Sequence, residues 1–315
     1  QVTRHIRKYS QLLRSQIKKM NIRKVFSGIR DLNVKGSGRL SFFLARVFLG
    51  KPKKALKVRT IYDFKLNIDP VTDSGVERSI YYYGTYEKGT LAMINSILRE
   101  GDVFVDIGAN IGLMSILASR KVGQYGKVFS FEPNPNTNKI LQSNIALNSC
   151  ENIHVEGFAL SHETKKSKIY DRWDVNRGGA SLIKPEHPTD SYEIEEIQFS
   201  DYFSPKQILK LVKIDVEGYE LNVLMGARTF ILESPTPPSL IVEFSSARNN
   251  TFGPDTSPFL AFLHELKVYR FFKASAGKEK ISKLIEITNE NDLPNHDNVF
   301  CFTMEHLNQL PKGLF

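Results

Sequence analysis

The chain has 315 residues, 41% of them hydrophobic and 24% charged, which fits one large α/β domain with extensions, or two small domains, and excludes collagen-like and globally disordered chains. Its net charge of +9 is unevenly placed: residues 1–60 carry 17 Lys or Arg against one acid, Asp31, so that segment is +16 and the remainder −7. Only Cys150 and Cys301 are present, which excludes a disulfide scaffold or a cysteine metal knot, fits a reducing compartment and predicts a cytoplasmic protein.

From Ile6 the apolar residues fall at 6, 9, 13, 17 and 20, then at 25, 26, 29 and 32, a helical spacing with basic residues in the gaps. After the break NVKGSG a second helical pattern runs through Leu40, Phe43, Leu44, Val47 and Phe48, and GKPKK at 50–54 reads as a linker. Residues 1–55 are therefore assigned to a basic amphipathic helical extension, and 56–315 to a second domain. Three roles compete for the extension: packing its apolar stripe on the domain, peripheral contact with an anionic membrane, and holding nucleic acid. The apolar run LSFFLARVFLG at 40–50 is interrupted by Arg46 and is far shorter than the roughly 20 residues of a spanning helix. The chain starts on a basic rather than an apolar stretch, so no secretory signal is expected.

IYDFKLNID at 61–69 alternates like an edge strand, and SIYYYGTYEKGT leads into a helix over 88–99. Strands are then predicted at 103–107, 128–132, 153–158, 211–215, 239–244, 268–273 and 299–304, with helices at 111–121, 135–147, 217–232 and 256–266. Short apolar strands alternating with helices imply a seven-stranded, mostly parallel sheet with helices on both faces. The last two strands have no strong helical pattern between them and are predicted to pair as an antiparallel hairpin. Between 159 and 210 the alternation lapses into a polar stretch that carries Trp173, His162 and His187. The insertion at about 161–205 is expected to contribute to an acceptor site.

FVDIGANIGLMS at 104–115 sits where the first strand hands over to a helix. A dinucleotide loop wants G-x-G-x-x-G, whereas here Asn110 replaces the second glycine and Asp106, at the strand's end, repels a phosphate. Gly108 and Gly112 are expected to allow a tight turn and close approach of a ligand. The favoured ligand is cationic and free of pyrophosphate, as S-adenosylmethionine is. The second strand ends FSFEPNP, which puts Glu132 where a carboxylate accepts hydrogen bonds from both ribose hydroxyls. Pro133 and Asn134 follow it, and Ala109 lies within the first loop, so all three are assigned to the cofactor. Ala159 and Leu160, after the third strand, either wall the adenine ring or pack the strand end.

VKIDVEGYELNVLMGA at 212–227, together with YYYGTYEKGT, GDVFVDIGANIGLMS, FSFEPNPNTNKILQSNIALN, ALS, GGASL and LIVEF in that order, resembles the FkbM-like family of class I S-adenosylmethionine-dependent methyltransferases. The resemblance runs from about Tyr82 to Phe244. It implies a Rossmann-like fold and O-methylation of a sugar or polyketide hydroxyl. By that resemblance Asp106, Gly108, Asn110 and Gly112 form the methionine-side loop, Glu132 holds the ribose, Asp215 lies beside the transferred methyl and Glu87 lies near the cofactor's ammonium. The family often shows Leu-Asp-Asp before KIDVEG; FSDYF here keeps only Asp201.

An alcohol acceptor must lose its proton as it attacks. Asp215 is ranked first as the acid that receives it, Glu217 second and Glu243 third. Lys213, two residues before Asp215, shares its strand face and is expected to keep it ionised. Glu217 and Glu220 are also candidates for helix capping. Mg²⁺ held by Asp215 and Glu243 is a further alternative, although no dense acidic triad is apparent in the sequence. The expected partner is a carbohydrate or glycolipid acceptor. The competing reading is an RNA methyltransferase that clamps its substrate with the basic extension.

Overall fold

The computed structural model describes residues 21–32, 34–171, 179–185, 189–245, 257–266 and 268–314. The chain forms two compact units, Gln1–Tyr86 and Glu87–Phe315. The first contains α1 (Ile22–Asp31), α2 (Ser37–Leu49), β1 (Leu56–Arg59), β2 (Lys65–Ile68) and α3 (Val76–Tyr83). The unit boundary lies beyond the compositional break near residue 55 because the hairpin and α3 are tied to the basic helices. The Asn21 amide donates to the Thr60 carbonyl at 2.7 Å, the Arg23 Nε to the Tyr81 carbonyl at 2.7 Å, and the Tyr81 hydroxyl to the Leu49 carbonyl at 2.6 Å.

The stretch expected as one edge strand at 61–69 is a turn followed by a strand. Asp63 takes a left-handed conformation, φ 66°, and β2 then pairs antiparallel with β1, Leu56 opposite Ile68 and Arg59 opposite Lys65. The alternation that signalled a strand survives in Phe64, Leu66 and Ile68, all buried. In α2 the small residues, not the large apolar ones, face inward. Ser37, Ser41 and Ala45 are the buried residues, and the Ser41 hydroxyl donates to the Phe26 carbonyl of α1 at 2.6 Å. The larger side chains of the apolar stripe, Leu40, Phe43, Val47 and Phe48, are exposed.

The second unit begins with α4 (Lys88–Ile97), then alternates β3 (Val103–Ile107), α5 (Leu113–Val122), β4 (Lys127–Phe131), α6 (Pro135–Leu147) and β5 (Ile153–Glu156). After β6 (Ala159–Ser161), β7 (Lys165–Tyr170), β8 (Ser191–Gln198) and α7 (Phe199–Tyr202), the chain returns through β9 (Leu211–Ile214), α8 (Glu220–Glu233), β10 (Ser239–Ser245) and α9 (Ser257–Glu265). It ends with β11 (Arg270–Ala274), β12 (Leu284–Ile287), β13 (His296–Phe302) and α10 (Met304–Gln309). The main sheet has eight strands in the order β12-β11-β13-β10-β9-β3-β4-β5. The five from β10 to β5 are parallel, and β13 and β11 are antiparallel to their neighbours.

Eight strands replace the expected seven because β12 was read as connection. Only Leu284 and Ile287 of its four residues are buried, a spacing of three that does not look like a strand. The expected antiparallel pairing of the last two predicted strands is present between β11 and β13, with β12 added at the sheet edge.

The insertion is likewise more regular than expected. β6, β8 and β7 form a second, three-stranded sheet, in which Lys166 faces Glu195 and Lys168 faces Glu193. Paired charges on the outer face, with Ile169 and Ile194 the only hydrophobic residues of these two strands that are fully buried and Glu196 buried beside them, gave the segment its polar reading. Beneath the main sheet, Phe131, Phe199, Phe203 and Phe230 are all 1% exposed or less and belong to one core with Val105, Ile107, Val212 and Ile214. Burying such side chains is worth about 1.5–3 kcal/mol each and fixes the strand ends that carry the site.

Candidate cofactor and transfer site

The chain runs outward from β3 through β4 to β5 and then comes back to β9 on the other side of β3. The crevice beyond the carboxyl ends of β3, β4 and β9 is therefore the switch point where such sheets take ligands. Asp106 of β3 stands there between Ser130 of β4 and Lys213 of β9, 1% exposed. The Ser115 hydroxyl donates to its Oδ2 at 2.5 Å, and the Ser130 hydroxyl donates to Ser115 at 2.9 Å. Its Oδ1 is buried with no hydrogen-bond partner among the described residues. Burial raises the Asp106 pKa, against the pull of Lys213 and Ser115.

The loop after β3 is held by its own neighbours. The backbone N–H groups of Gly108 and Ala109 both donate to the Phe131 carbonyl at 3.0 Å. Gly108 has φ 83°, and a Cβ there would lie 1.8 Å from the Asp215 carbonyl oxygen. At Gly112 a Cβ would lie 2.6 Å from Leu141 Cδ1. The close approaches expected for a ligand are thus made by the chain itself: one glycine admits the backbone after β9, the other a side chain of α6. Asn110, at φ 50°, is a residue type that tolerates the left-handed region, and its N–H donates to Glu132 Oε2 at 2.9 Å.

Glu132 joins the two loops, because its Oε1 also accepts from the Asn134 N–H at 3.0 Å. Burial pushes its carboxyl up to about 7, against the backbone donors of Asn134 and Asn110. Each oxygen keeps a second lone pair for another donor. The Asn134 side-chain oxygen caps α6 by accepting from the Asn136 and Thr137 N–H groups, its amide donates to the Asp171 carboxylate, and Pro135 opens the helix. Pro133 is half-buried in the same turn. Leu160 packs in the main core and Ala159 in a small cluster with Ile169 and Ile194.

Strand alternation brings Lys213 Nζ to 2.9 Å from Asp215 Oδ2. Burial would lower the Lys213 pKa, but the negative charges of Asp215, Asp106 and Glu87 outweigh it and raise it. Burial alone would raise Asp215, yet Lys213 first and Lys278 second hold it below the usual carboxylate range. Glu243 of β10 moves the other way, raised by burial and by the Asp215 charge. The two carboxyl groups therefore titrate as a pair, one held ionised and the other tending to keep a proton.

Lys278, in the β11–β12 connection, was not singled out by the sequence. Its ammonium is 2.9 Å from Glu87 Oε1 and ion-paired with Glu243 Oε1. Its carbonyl accepts from the N–H groups of Gly89 and Thr90 at the start of α4, at 2.9 and 3.3 Å. Glu87 also accepts from the Thr90 hydroxyl at 3.1 Å. Carboxylate oxygens of Glu87, Asp215 and Glu243 lie within 4.8 Å of one another, a triad that was not apparent in the sequence. This set does not fit Mg²⁺ as it stands, because the tethered ammonium groups of Lys213 and Lys278 already hold its oxygens and a divalent ion would have to displace Lys278.

Glu217, expected at the start of a helix, precedes it. It has φ 57°, α8 opens at Glu220, and the Glu217 carbonyl accepts from the Ser181 hydroxyl at 2.9 Å. Glu220 closes that turn by accepting from the Val216 and Gly218 N–H groups at 3.1 and 3.0 Å. His162 Nδ1 lies 3.2 Å from the Asn222 amide of α8, and Asp201 is exposed, accepting from the Thr164 hydroxyl at 3.0 Å. Tyr81 and Tyr82 lie in α3 of the first unit and pack edge to face, ring centroids 5.0 Å apart. Trp173 and His187 lie outside the described residues.

A parallel sheet that reverses at β3, with an antiparallel strand beside β10 and carboxylates crowning its first two strands, has the architecture of a class I methyltransferase. Residues 106–271 match the family described as Methyltransferase FkbM domain, and the chain belongs to that family. The methyltransferase sdnD of Sordaria araneosa is 31% identical over 161 residues, which cover 41% of this chain and 61% of that protein. The hexuronic acid methyltransferase AglP of Haloferax volcanii is 29% identical over 146 residues, covering 44% of this chain and 56% of that protein. The chain thus spans somewhat over half the length of these two relatives. Among solved structures, the methyltransferase FkbM of Methylobacillus flagellatus aligns with TM-score 0.41 and 19% identity, over 65% of this chain and 45% of that one.

Proposed function

We infer that the protein is an S-adenosylmethionine-dependent O-methyltransferase that methylates a sugar hydroxyl in a glycan or glycolipid. The observation that carries this reading is the pair of buried carboxylates on adjacent parallel strands, Asp106 with one oxygen lacking a donor and Glu132 binding both cofactor-side loops. A pyrophosphate would be repelled there. The orphaned oxygen of Asp106 suits a cationic ligand, and the remaining lone pairs of Glu132 suit two ribose hydroxyls. The sugar acceptor is supported by the hexuronic acid methyltransferase among the relatives.

When bound, the cofactor supplies an electrophilic methyl carbon on a sulfonium. The protein's own part is alignment and proton removal. Holding the acceptor oxygen in line with that carbon supplies most of the acceleration. Asp215, kept ionised by Lys213 at 2.9 Å, accepts the acceptor's O–H hydrogen bond and orients it. The Asp215 and Glu243 pair then takes the proton, and Lys278 keeps Glu243 and Glu87 in place. A weak base suffices, because the proton becomes strongly acidic as the O–C bond forms.

The test is to incubate the protein with methyl-labelled cofactor and uronic-acid glycans, neutral glycans or RNA, with and without a chelator. Label is expected in a glycan and unchanged by the chelator. Label confined to RNA would refute the sugar assignment, and failure of calorimetry to detect cofactor uptake would refute the whole reading.

A further inference from the structure

We propose that the first unit docks on an anionic lipid bilayer through the outer face of α2, with Leu40, Phe43 and Val47 entering the headgroup boundary. The inference starts from the inversion of that helix. A helix in a water-soluble unit buries its large apolar residues and turns small polar ones outward. α2 does the reverse, burying Ser37, Ser41 and Ala45 while Phe43 and Val47 are each 62% exposed and Leu40 53%. Residues 40, 43 and 47 fall on one side of the helix by its i, i+3, i+7 spacing, whereas Phe48, on the face of Ser41, turns its ring toward Phe26 of α1. No helix among the described residues is long and apolar enough to cross a membrane. The apolar face is therefore suited to lying in a bilayer surface rather than spanning it.

Charge selects the occupant. Lys35, Arg39, Arg46, Lys51, Lys53 and Lys54 are all exposed in and around α2, and Arg39 and Arg46, seven residues apart, flank Phe43 on the same side of the helix. The only acid in the first 60 residues is Asp31. A second copy of the chain would bring two such cationic surfaces together and repel. A surface of anionic headgroups over acyl chains complements both parts of the face. This docking is independent of the transfer chemistry, although a lipid-linked acceptor would be presented at the same surface.

The full chain is to be co-sedimented with vesicles of phosphatidylcholine alone and with about one third phosphatidylglycerol. Binding is expected only with the second, falling about ten-fold or more in the triple variant Leu40→Ser, Phe43→Ser, Val47→Ser. The double variant Arg39→Gln, Arg46→Gln should weaken binding and reduce its salt sensitivity. All five positions are exposed, so circular dichroism and cofactor affinity should not change; the single Phe43→Glu variant serves if the triple one misfolds. Methyl transfer to a soluble acceptor should also persist in these variants, which separates failure of docking from failure of the catalytic reading. Equal binding to both vesicles, no binding, or full binding by the triple variant would overturn the proposal. So would a wild-type dimer that this variant converts to monomer, or RNA binding lost in the same variants without any vesicle binding.

Discussion

Replacing Lys278 with Met keeps most of the side chain's length and its apolar stem while removing the charge. Lys278 is 9% exposed, Glu87 1% and Glu243 4%, so water cannot take over the role of the ammonium. Breaking a buried ion pair by removing one partner costs about 3–5 kcal/mol. In a unit of this size each kcal/mol lowers Tm by about 2–4 °C, which gives a fall of roughly 6–20 °C. The pH dependence has a definite sign. Glu243 is already raised by burial and by the Asp215 charge, losing the Lys278 cation raises it further, and stability from a raised acid is lost as pH rises. The gap between wild type and Lys278→Met should thus be smallest near about pH 5 and widest near about pH 8. Scanning calorimetry across that range is the assay. A loss below about 1 kcal/mol, or a gap that ignores pH, would refute the buried pairing and with it the argument that tethered ammonium groups stand where a divalent ion would.

Asp215→Asn should reduce labelled methyl transfer by about 100-fold or more while leaving cofactor affinity by calorimetry nearly unchanged; normal turnover would remove Asp215 from the chemistry. Glu132, raised to about 7, should make the ligand-free protein lose stability as pH rises from its unfolded value toward 7, because the folded state holds the proton longer. Glu132→Gln should flatten that slope in thermal melts and weaken cofactor binding by roughly 10- to 100-fold, the worth of hydrogen bonds to a charged group. Gly108→Ala adds a Cβ 1.8 Å from the Asp215 carbonyl oxygen at φ 83°. It should cost roughly 2–5 kcal/mol in urea unfolding, and a neutral result would mean that the two loops do not touch.

The parallel strands were legible because their residues are apolar on both faces and their carboxyl ends carry acids. β3, VFVDI, was located to the residue, and Asp106, Glu132, Lys213 and Asp215 could be assigned from strand ends and two-residue alternation. The strands that escaped detection carry weaker signals. In β7 and β8 lysines and glutamates pair across the outer face, and β12 buries only its first and last residues. Glu217 was misplaced because an acid before an apolar helix reads as its first turn, whereas the turn is set by Glu220 accepting two backbone N–H groups.

What the sequence determined by itself is the sheet's class, its family and the acids at its strand ends, because hydrophobic period and strand-end position are local properties of the chain. Partnership across the fold belonged to the tertiary structure alone. Lys278 looks like any other loop lysine until the β11–β12 connection docks its carbonyl on α4 and carries its ammonium between Glu87 and Glu243. The glycines of the first loop likewise show their constraint only when the backbone after β9 comes within reach. Which face of α2 is buried was also decided by packing on α1, because small residues allow two helices to approach closely and leave the large ones outside.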